Sequence, residues 1–386
     1  MKIEVAKKDL EAALAVASVA VESGVADLSS HYLFRFKDGQ PEVLSYGMRL
    51  FSRAPFTAVV DAEDGEAFTV EAWRLDKWMA GVGDGALTLT ADGSGDVHAK
   101  GPRSRVRFRS LDPSKFPYWD ETLAEAEVIG STSARTISNA LNLARWFVSA
   151  DDTAKPELCQ IEAVEGVIWA TDRRALSSVE IPSLPQLGIR VPGKAVASVL
   201  KYLGDKETQE GDLEVLQAER SFEDGGGAFA IFKRVDSAYL GVTRPTSQFP
   251  KLNVDRDAKN DAVLAVDVEE LNAGVSVLLA SAPKGHEAVT FSYDADSDKV
   301  SISMPCEAGG TDTYPLALTK VTEGAENFDV PFTVDYPYIV GIASSYGLDQ
   351  IEFGVCKRGR GGYISSAHSD EGADGNRYFS VVVWRT

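Results

Sequence analysis

Cysteine is scarce in this chain. Its three residues, Cys159, Cys306 and Cys356, are odd in number, widely spaced, and form no Cys-x-x-Cys pair. A disulfide framework or a zinc knuckle is therefore not expected, and buried thiols are. The four histidines, His31, His98, His286 and His368, are scattered and have no metal-ligand spacing. No apolar stretch approaches the eighteen or so residues that cross a bilayer as a helix. The opening MKIEVAKKDLEAALAVASVAV carries Lys7, Lys8, Asp9 and Glu11 and lacks a continuous apolar segment, so a signal peptide is not expected and the cytosol is. Basic residues are also in deficit, 39 Lys and Arg against 58 Asp and Glu, for a net charge of −19. A protein that grips nucleic acid by neutralising phosphates shows the opposite balance. No Gly-rich phosphate-binding motif follows a strand: the glycines at 225–227 and around 359–362 read as loop glycines.

Hydrophobic residues make up 44% and charged residues 25% of 386, the balance of a globular protein too long for a single ordinary core. A threefold internal repeat accounts for the length. The segments FTVEAWRLDKWMAGVGDGALTLTA from Phe68, IRVPGKAVASVLKYLGDKETQEGDLEVLQA from Ile189 and FTVDYPYIVGIASSYGLDQIEFGV from Phe332 share one pattern of strand, helix and strand. In the second, Val196, Val199, Leu200 and Leu203 fall at helical spacing. Gly81, Gly204 and Gly347 follow the three helices, as left-handed C-caps do. An earlier amphipathic helix recurs at 9–21, 134–148 and 268–280, and alternating runs such as HYLFRF, GVIWATD, AVTFSYDAD and KVSISM read as hairpin strands. Phe-Pro pairs at Phe116 and Phe249 close the first two copies, 133 residues apart, and one third of the chain is about 129 residues. The expected class is α+β: three tandem domains at 1–126, 127–256 and 257–386, each with two helices on antiparallel strands, with linkers near 123–129 and 255–261.

Within this frame, AlaThrAsp at 170–172 and Leu176 lie in VIWATDRRALSSVEI. This resembles the bacterial DNA polymerase III beta-subunit family, the sliding clamps, whose middle domain carries Ala-Thr-Asp-Gly-His-Arg-Leu after a strand. Further similar segments fall in family order: MKIEVAKKDLEAAL, SLDPSKFPYWDE, KPELCQIEAVEG, GIRVPGKAVASVLKYL, SQFPKL and YFSVVVWRT. The likeness covers almost the whole chain. Three departures mark a divergent member, such as a phage or plasmid encodes: Arg173, Arg174 and Ala175 replace Gly-His-Arg, the chain closes on Trp-Arg-Thr, and loop 22–30 lacks a basic residue.

The resemblance implies a non-enzymatic processivity factor without a cofactor. It would encircle duplex DNA as a head-to-tail homodimer, domain one against domain three through strand edges, and tether a polymerase and clamp loader by short peptides. Enclosure also reconciles DNA with the acidic balance, because topology supplies the retention. The DNA-facing candidates are Lys7, Lys8, Arg74, Lys77, Arg135, Arg145, Lys194 and Lys201. Arg135, Ser138, Asn142 and Arg145 share one helical face, as do Lys194, Ser198 and Lys201. The third copy offers Lys284 alone, so an uneven lumen with shallow salt dependence is expected. The implied peptide pocket comprises Leu158, Thr171, Leu176, Pro250 and Val382, with Arg173 and Arg174 at its rim; the competing reading makes Leu158 and Leu176 plain core leucines.

Two other classes compete with this reading. Ser198-Val199-Leu200-Lys201 has the Ser-x-x-Lys spacing of some serine hydrolases, but Ser-Asp-Asn and Lys-Thr-Gly do not follow. Asp294, Asp296 and Asp298 begin like a calcium loop, but Lys299 and Pro305 stand where Gly and Glu are needed, so a hairpin turn is expected. The second rival is a β-rich structural or assembly protein of a phage; a closed dimer argues for the clamp, and open polymers for the rival.

Overall fold

The fold was analysed in a computed structural model that describes residues 1–25, 27–92, 95–150, 155–181, 188–204, 211–220, 227–252, 260–285, 288–325, 331–345, 349–358, 361–367 and 377–383. The described residues form seven α-helices and 26 strands, an α+β protein with antiparallel sheets throughout. The helices are α1 (Lys7–Ala17), α2 (Ala72–Gly81), α3 (Asp120–Ala124), α4 (Ala134–Ala144), α5 (Val196–Leu203), α6 (Val268–Leu279) and α7 (Tyr336–Ser345). The chain divides into two compact units, 1–135 with 195–244, and 136–194 with 245–386.

The helices form where apolar residues recur at three- and four-residue intervals. α1 buries Leu10, Ala13, Leu14 and Ala17, and α6 buries Leu271, Gly274, Val275 and Leu278. Asp267 caps α6 by accepting the Glu270 N–H at 2.8 Å, and Glu269 and Glu270 place negative charge on its first turn. The boundaries differ from the periodicity. α1 stops at Ala17, because the Ser18 hydroxyl donates to the Ala15 carbonyl and the next N–H groups bond three residues back. α4 stops at Ala144 and tightens into a 3₁₀ turn, Arg145–Phe147. Gly81 is the last residue of α2, followed by Val82 in extended conformation, so it is no left-handed cap. Gly204 does cap α5, at φ +83°. Gly347 lies outside the described residues. Neither Cys159 nor Cys306 is fully buried, and Cys356 has no described side chain. The first expected linker is instead α3 running into the strand Glu127–Ser133, and most of the second lies outside the described residues.

The sheet orders carry the threefold repeat. The first unit holds an eight-stranded sheet in the order Glu127–Ser133, Asp212–Arg220, Gly227–Arg234, Tyr239–Thr243, Leu50–Pro55, Gln40–Tyr46, His31–Lys37, Ala67–Glu71. The second unit repeats that order with Ala262–Asp267, Gln350–Arg358, Gly361–Ala367 and Arg377–Val383, then Ala175–Glu180, Val167–Thr171, Gln160–Val164 and Gly188–Pro192; Lys320–Glu323 adds an outer strand. Each large sheet is therefore two half-sheets from successive copies. Tyr239–Thr243 pairs with Leu50–Pro55, and Arg377–Val383 with Ala175–Glu180. The remaining half-sheets stand alone. One runs Val59–Asp61, Lys2–Ala6, Ala86–Ala91, Asp96–Gly101, Ser104–Arg109, and the other Thr311–Leu316, Lys299–Pro305, Ala288–Asp294, Phe332–Asp335. Residues 295–298 form the turn of a hairpin, as expected.

Candidate functional site

The turn after strand Val167–Thr171 is built by its own side chains. The Thr171 hydroxyl donates to the Ala175 carbonyl at 2.7 Å and accepts the Arg173 N–H at 3.1 Å. One Asp172 carboxylate oxygen accepts the N–H groups of Arg174 and Ala175 at 2.8 and 2.9 Å. The reversal forces Arg173 to φ +74°, a left-handed conformation that suits glycine. The other Asp172 oxygen accepts the Tyr338 hydroxyl at 2.5 Å. Burial and the Asp172 charge both push the Tyr338 phenol upward in pKa, so it stays a donor. Tyr338 stacks on Phe147 at 5.3 Å, and a Cβ on Gly341 would come within 2.7 Å of Trp146.

Of the residues expected to form a pocket, Thr171, Arg173, Arg174 and Leu176 share this turn by sequence. Leu176 pairs with Val381 and Ala175 with Val382, so the C-terminal strand runs beside the turn. The side chain of Val382 is not described. Leu176 is 6% exposed, Thr171 4% and Leu158 0%, which makes Leu158 a floor residue at most. Leu158 sits in the 3₁₀ turn Pro156–Leu158, one residue past Glu157, whose carboxylate pairs with the exposed Arg173 guanidinium at 3.1 Å. Arg174 is exposed and Pro250 half-buried. The Ser247 carbonyl is held by Gln160 at 3.1 Å and by Arg190 at 3.2 Å, which fixes the approach to Phe249 and Pro250. Sequence reasoning missed Tyr338, Phe147 and Glu157. Tyr338 lies 166 residues from Asp172, so no local signal pointed to it.

The expected cations have different settings. In the first unit, Lys201 on α5 reaches the Ser18 hydroxyl at the end of α1 (2.9 Å), and its charge acts on Asp76 of α2. The hydrogen bond links α5 to the end of α1. Lys8, Lys77 and Arg135 are exposed. Lys7 is not free: its ammonium donates to the Val82 carbonyl beyond the end of α2 at 2.8 Å, pairs with Glu11 and is 14% exposed. Arg74 pairs with Glu71 and covers the exposed Trp73 ring at 4.7 Å. With Arg107 and Arg109 it borders a cavity of about 570 Å³ beside the strand Ser104–Arg109. In the second unit, Arg145 lies over Trp146 at 5.2 Å and Lys194 is exposed. The shared face on α4 is narrower than expected, since Ser138 is 8% exposed. Lys194 lies in a 3₁₀ turn ahead of α5.

No family model matches the sequence. Among curated proteins, the chain is 24% identical over 354 residues to the beta sliding clamp of Rickettsia bellii, covering 87% of this chain and 88% of that protein. It is 25% identical over 274 residues to the beta sliding clamp of Rickettsia felis, covering 68% and 71%. Among solved structures, the sliding clamp (DNA polymerase III subunit beta) of Bartonella birtlesii bound to griselimycin aligns over all of both chains, with TM-score 0.80 and 18% identity. The DNA polymerase III subunit beta of Pseudomonas aeruginosa also aligns over both full lengths, at 0.76 and 14%. The fold is thus the DNA-clamp fold, in three tandem copies. Over most of its length the chain is similar, at about a quarter identity, to the beta sliding clamps.

Proposed function

We propose that this protein is a DNA sliding clamp, which closes head to tail as a homodimer around duplex DNA and tethers a polymerase and other replication proteins through the pocket at Thr171–Leu176. It performs no bond chemistry. The three domains are taken as 1–126, 127–256 and 257–386.

The sheet orders carry this reading. In each large sheet the last strand of one copy pairs with the fourth hairpin strand of the copy before it. Applied once more, the rule leaves Ser104–Arg109 of the first copy and Thr311–Leu316 of the third as edges awaiting each other. A second copy of the chain supplies both. Their charges fit. Arg105, Arg107 and Arg109 are exposed on the first edge, while Asp312 lies on the second and Glu307 in the turn before it.

Negative-stain images of the purified protein test the assembly. Particles with a central hole wide enough for duplex DNA are expected, and Arg105→Glu with Arg109→Glu should reduce them to single chains. Filaments, or compact particles without a hole, would favour the structural-protein reading. For the pocket, burial of two or three apolar side chains at roughly 1.5–3 kcal/mol each, less the cost of ordering a peptide, gives affinities near micromolar. Leu176→Asp should abolish peptide binding while the ring still assembles. Retained binding would move the pocket elsewhere.

A further inference from the structure

The junction that carries the proposed pocket has a counterpart in the first unit. Thr171 pairs with Leu176 across a turn at 172–175, and Tyr46 pairs with Phe51 across a turn of the same length at 47–50. Leu176 pairs onward with Val381 of the C-terminal strand, and Phe51 with Gly241 of Tyr239–Thr243. Phe249-Pro250-Lys251-Leu252 corresponds to Phe116-Pro117-Tyr118-Trp119, so Phe51 stands for Leu176 and Trp119 for Leu252.

The two junctions differ in what fills them. Trp119 stacks flat on Phe51, with centroids 4.2 Å apart and planes at 6°, and both meet the edge of Phe229. Leu216, Ala218 and Ile231 complete the cluster, with Leu123 of α3 packed against it. A Cβ at Gly241 would collide with the Phe51 ring, so the backbone there accommodates the stack. The next residue pins Trp119 in place: both Asp120 carboxylate oxygens accept from Arg35, at 2.6 and 2.9 Å, and Lys37 pairs with the same group at 2.8 Å. In the sequence the corresponding residues of the other junction are two leucines, Leu176 and Leu252.

We infer that the first junction is a second copy of the peptide site, closed by the chain's own Trp119, and that an apolar peptide tail is what it would take if opened. This rests on the pocket reading above. Trp119 is a built-in occupant, which holds the chain to one peptide site.

Phe51→Leu with Trp119→Leu gives the first junction the leucines of the second. The probe is a synthetic decapeptide ending in Leu-Leu-Phe, titrated calorimetrically into the full-length chain. One peptide should bind per wild-type chain and two per double variant, and adding Leu176→Asp should return the count to one. A double variant that still binds one peptide overturns the inference and leaves the pocket reading intact. A wild-type chain that binds none overturns both. Should the double variant fail to fold, Trp119→Leu alone takes its place, with the same two stoichiometries deciding.

Discussion

At the scale of single residues, Arg173 occupies a backbone position that the clamp family, by the Ala-Thr-Asp-Gly pattern, gives to glycine. A left-handed conformation costs a non-glycine residue about 1–2 kcal/mol. Its exposed pair with Glu157 returns at most about 1 kcal/mol. Arg173→Gly removes the strain but increases the backbone entropy lost on folding by roughly 0.5–1 kcal/mol. In a Glu157→Gln background, where the pair is already absent, Arg173→Gly is expected in urea unfolding to leave stability unchanged or raise it by up to about 1.5 kcal/mol. A clear loss of stability there would mean that the Arg173 backbone carries no strain to relieve. Thr171, Arg173, Arg174 and Leu176 could be grouped on one turn from the sequence because they are adjacent and follow a recognisable strand. Tyr338, which fixes the Asp172 carboxylate, could not, since its partnership exists only once two distant copies share a sheet.

At the scale of elements, the short helix α3 is held by charge as much as by packing. Arg35 is 5% exposed and Glu42 1%; Arg35 pairs with both Glu42 and Asp120. Burial by itself would raise the Asp120 pKa, but hydrogen bonds from Arg35 and Lys37 outweigh it and bring the value down to about 2. A depressed carboxylate stabilises the fold above its unfolded pKa of about 4, and the contribution disappears as pH falls through the folded value. The stability advantage of the wild type over Asp120→Asn is therefore expected to be full at neutral pH and to vanish between about pH 4 and pH 2. Unfolding curves of both proteins across that range decide it, and an advantage unchanged at pH 2 would detach Asp120 from the network. Helical periodicity made the longer helices legible, with their apolar stripes. It placed their ends poorly, because α1 is stopped by a serine hydroxyl bonding backward and α4 by a tightened last turn. The polar composition of 123–129 read as a linker, because the salt cluster that anchors α3 joins residues 85 apart.

At the scale of the whole molecule, the net charge of −19 and the sparse cations bear on DNA together. Of the eight proposed DNA-facing cations, Lys7 is tied to a carbonyl and Arg74 to Glu71, while Lys201 meets a hydroxyl. The third copy contributes no basic residue to α6 or α7. Direct DNA binding should thus show a log–log salt slope shallower than that of about six phosphate contacts. A steeper slope in equilibrium titrations would mean that the protein grips the backbone rather than surrounding it. The threefold architecture was visible in the repeating strand-helix-strand segments, but which strand joins which was not. Pairings such as Phe51 with Gly241 span 190 residues, and alternating hydrophobicity carries no address for the partner.

The lending of a last strand from the second and third copies to the one before has a mechanical consequence for the proposed ring. Joints inside a chain and joints between chains would there be the same antiparallel zipper, with a covalent tether behind the former and none behind the latter. Opening the proposed ring would amount to unzipping one untethered seam. A loader would need to prise apart only one short edge, Ser104–Arg109 against Thr311–Leu316 of the other chain, to admit DNA.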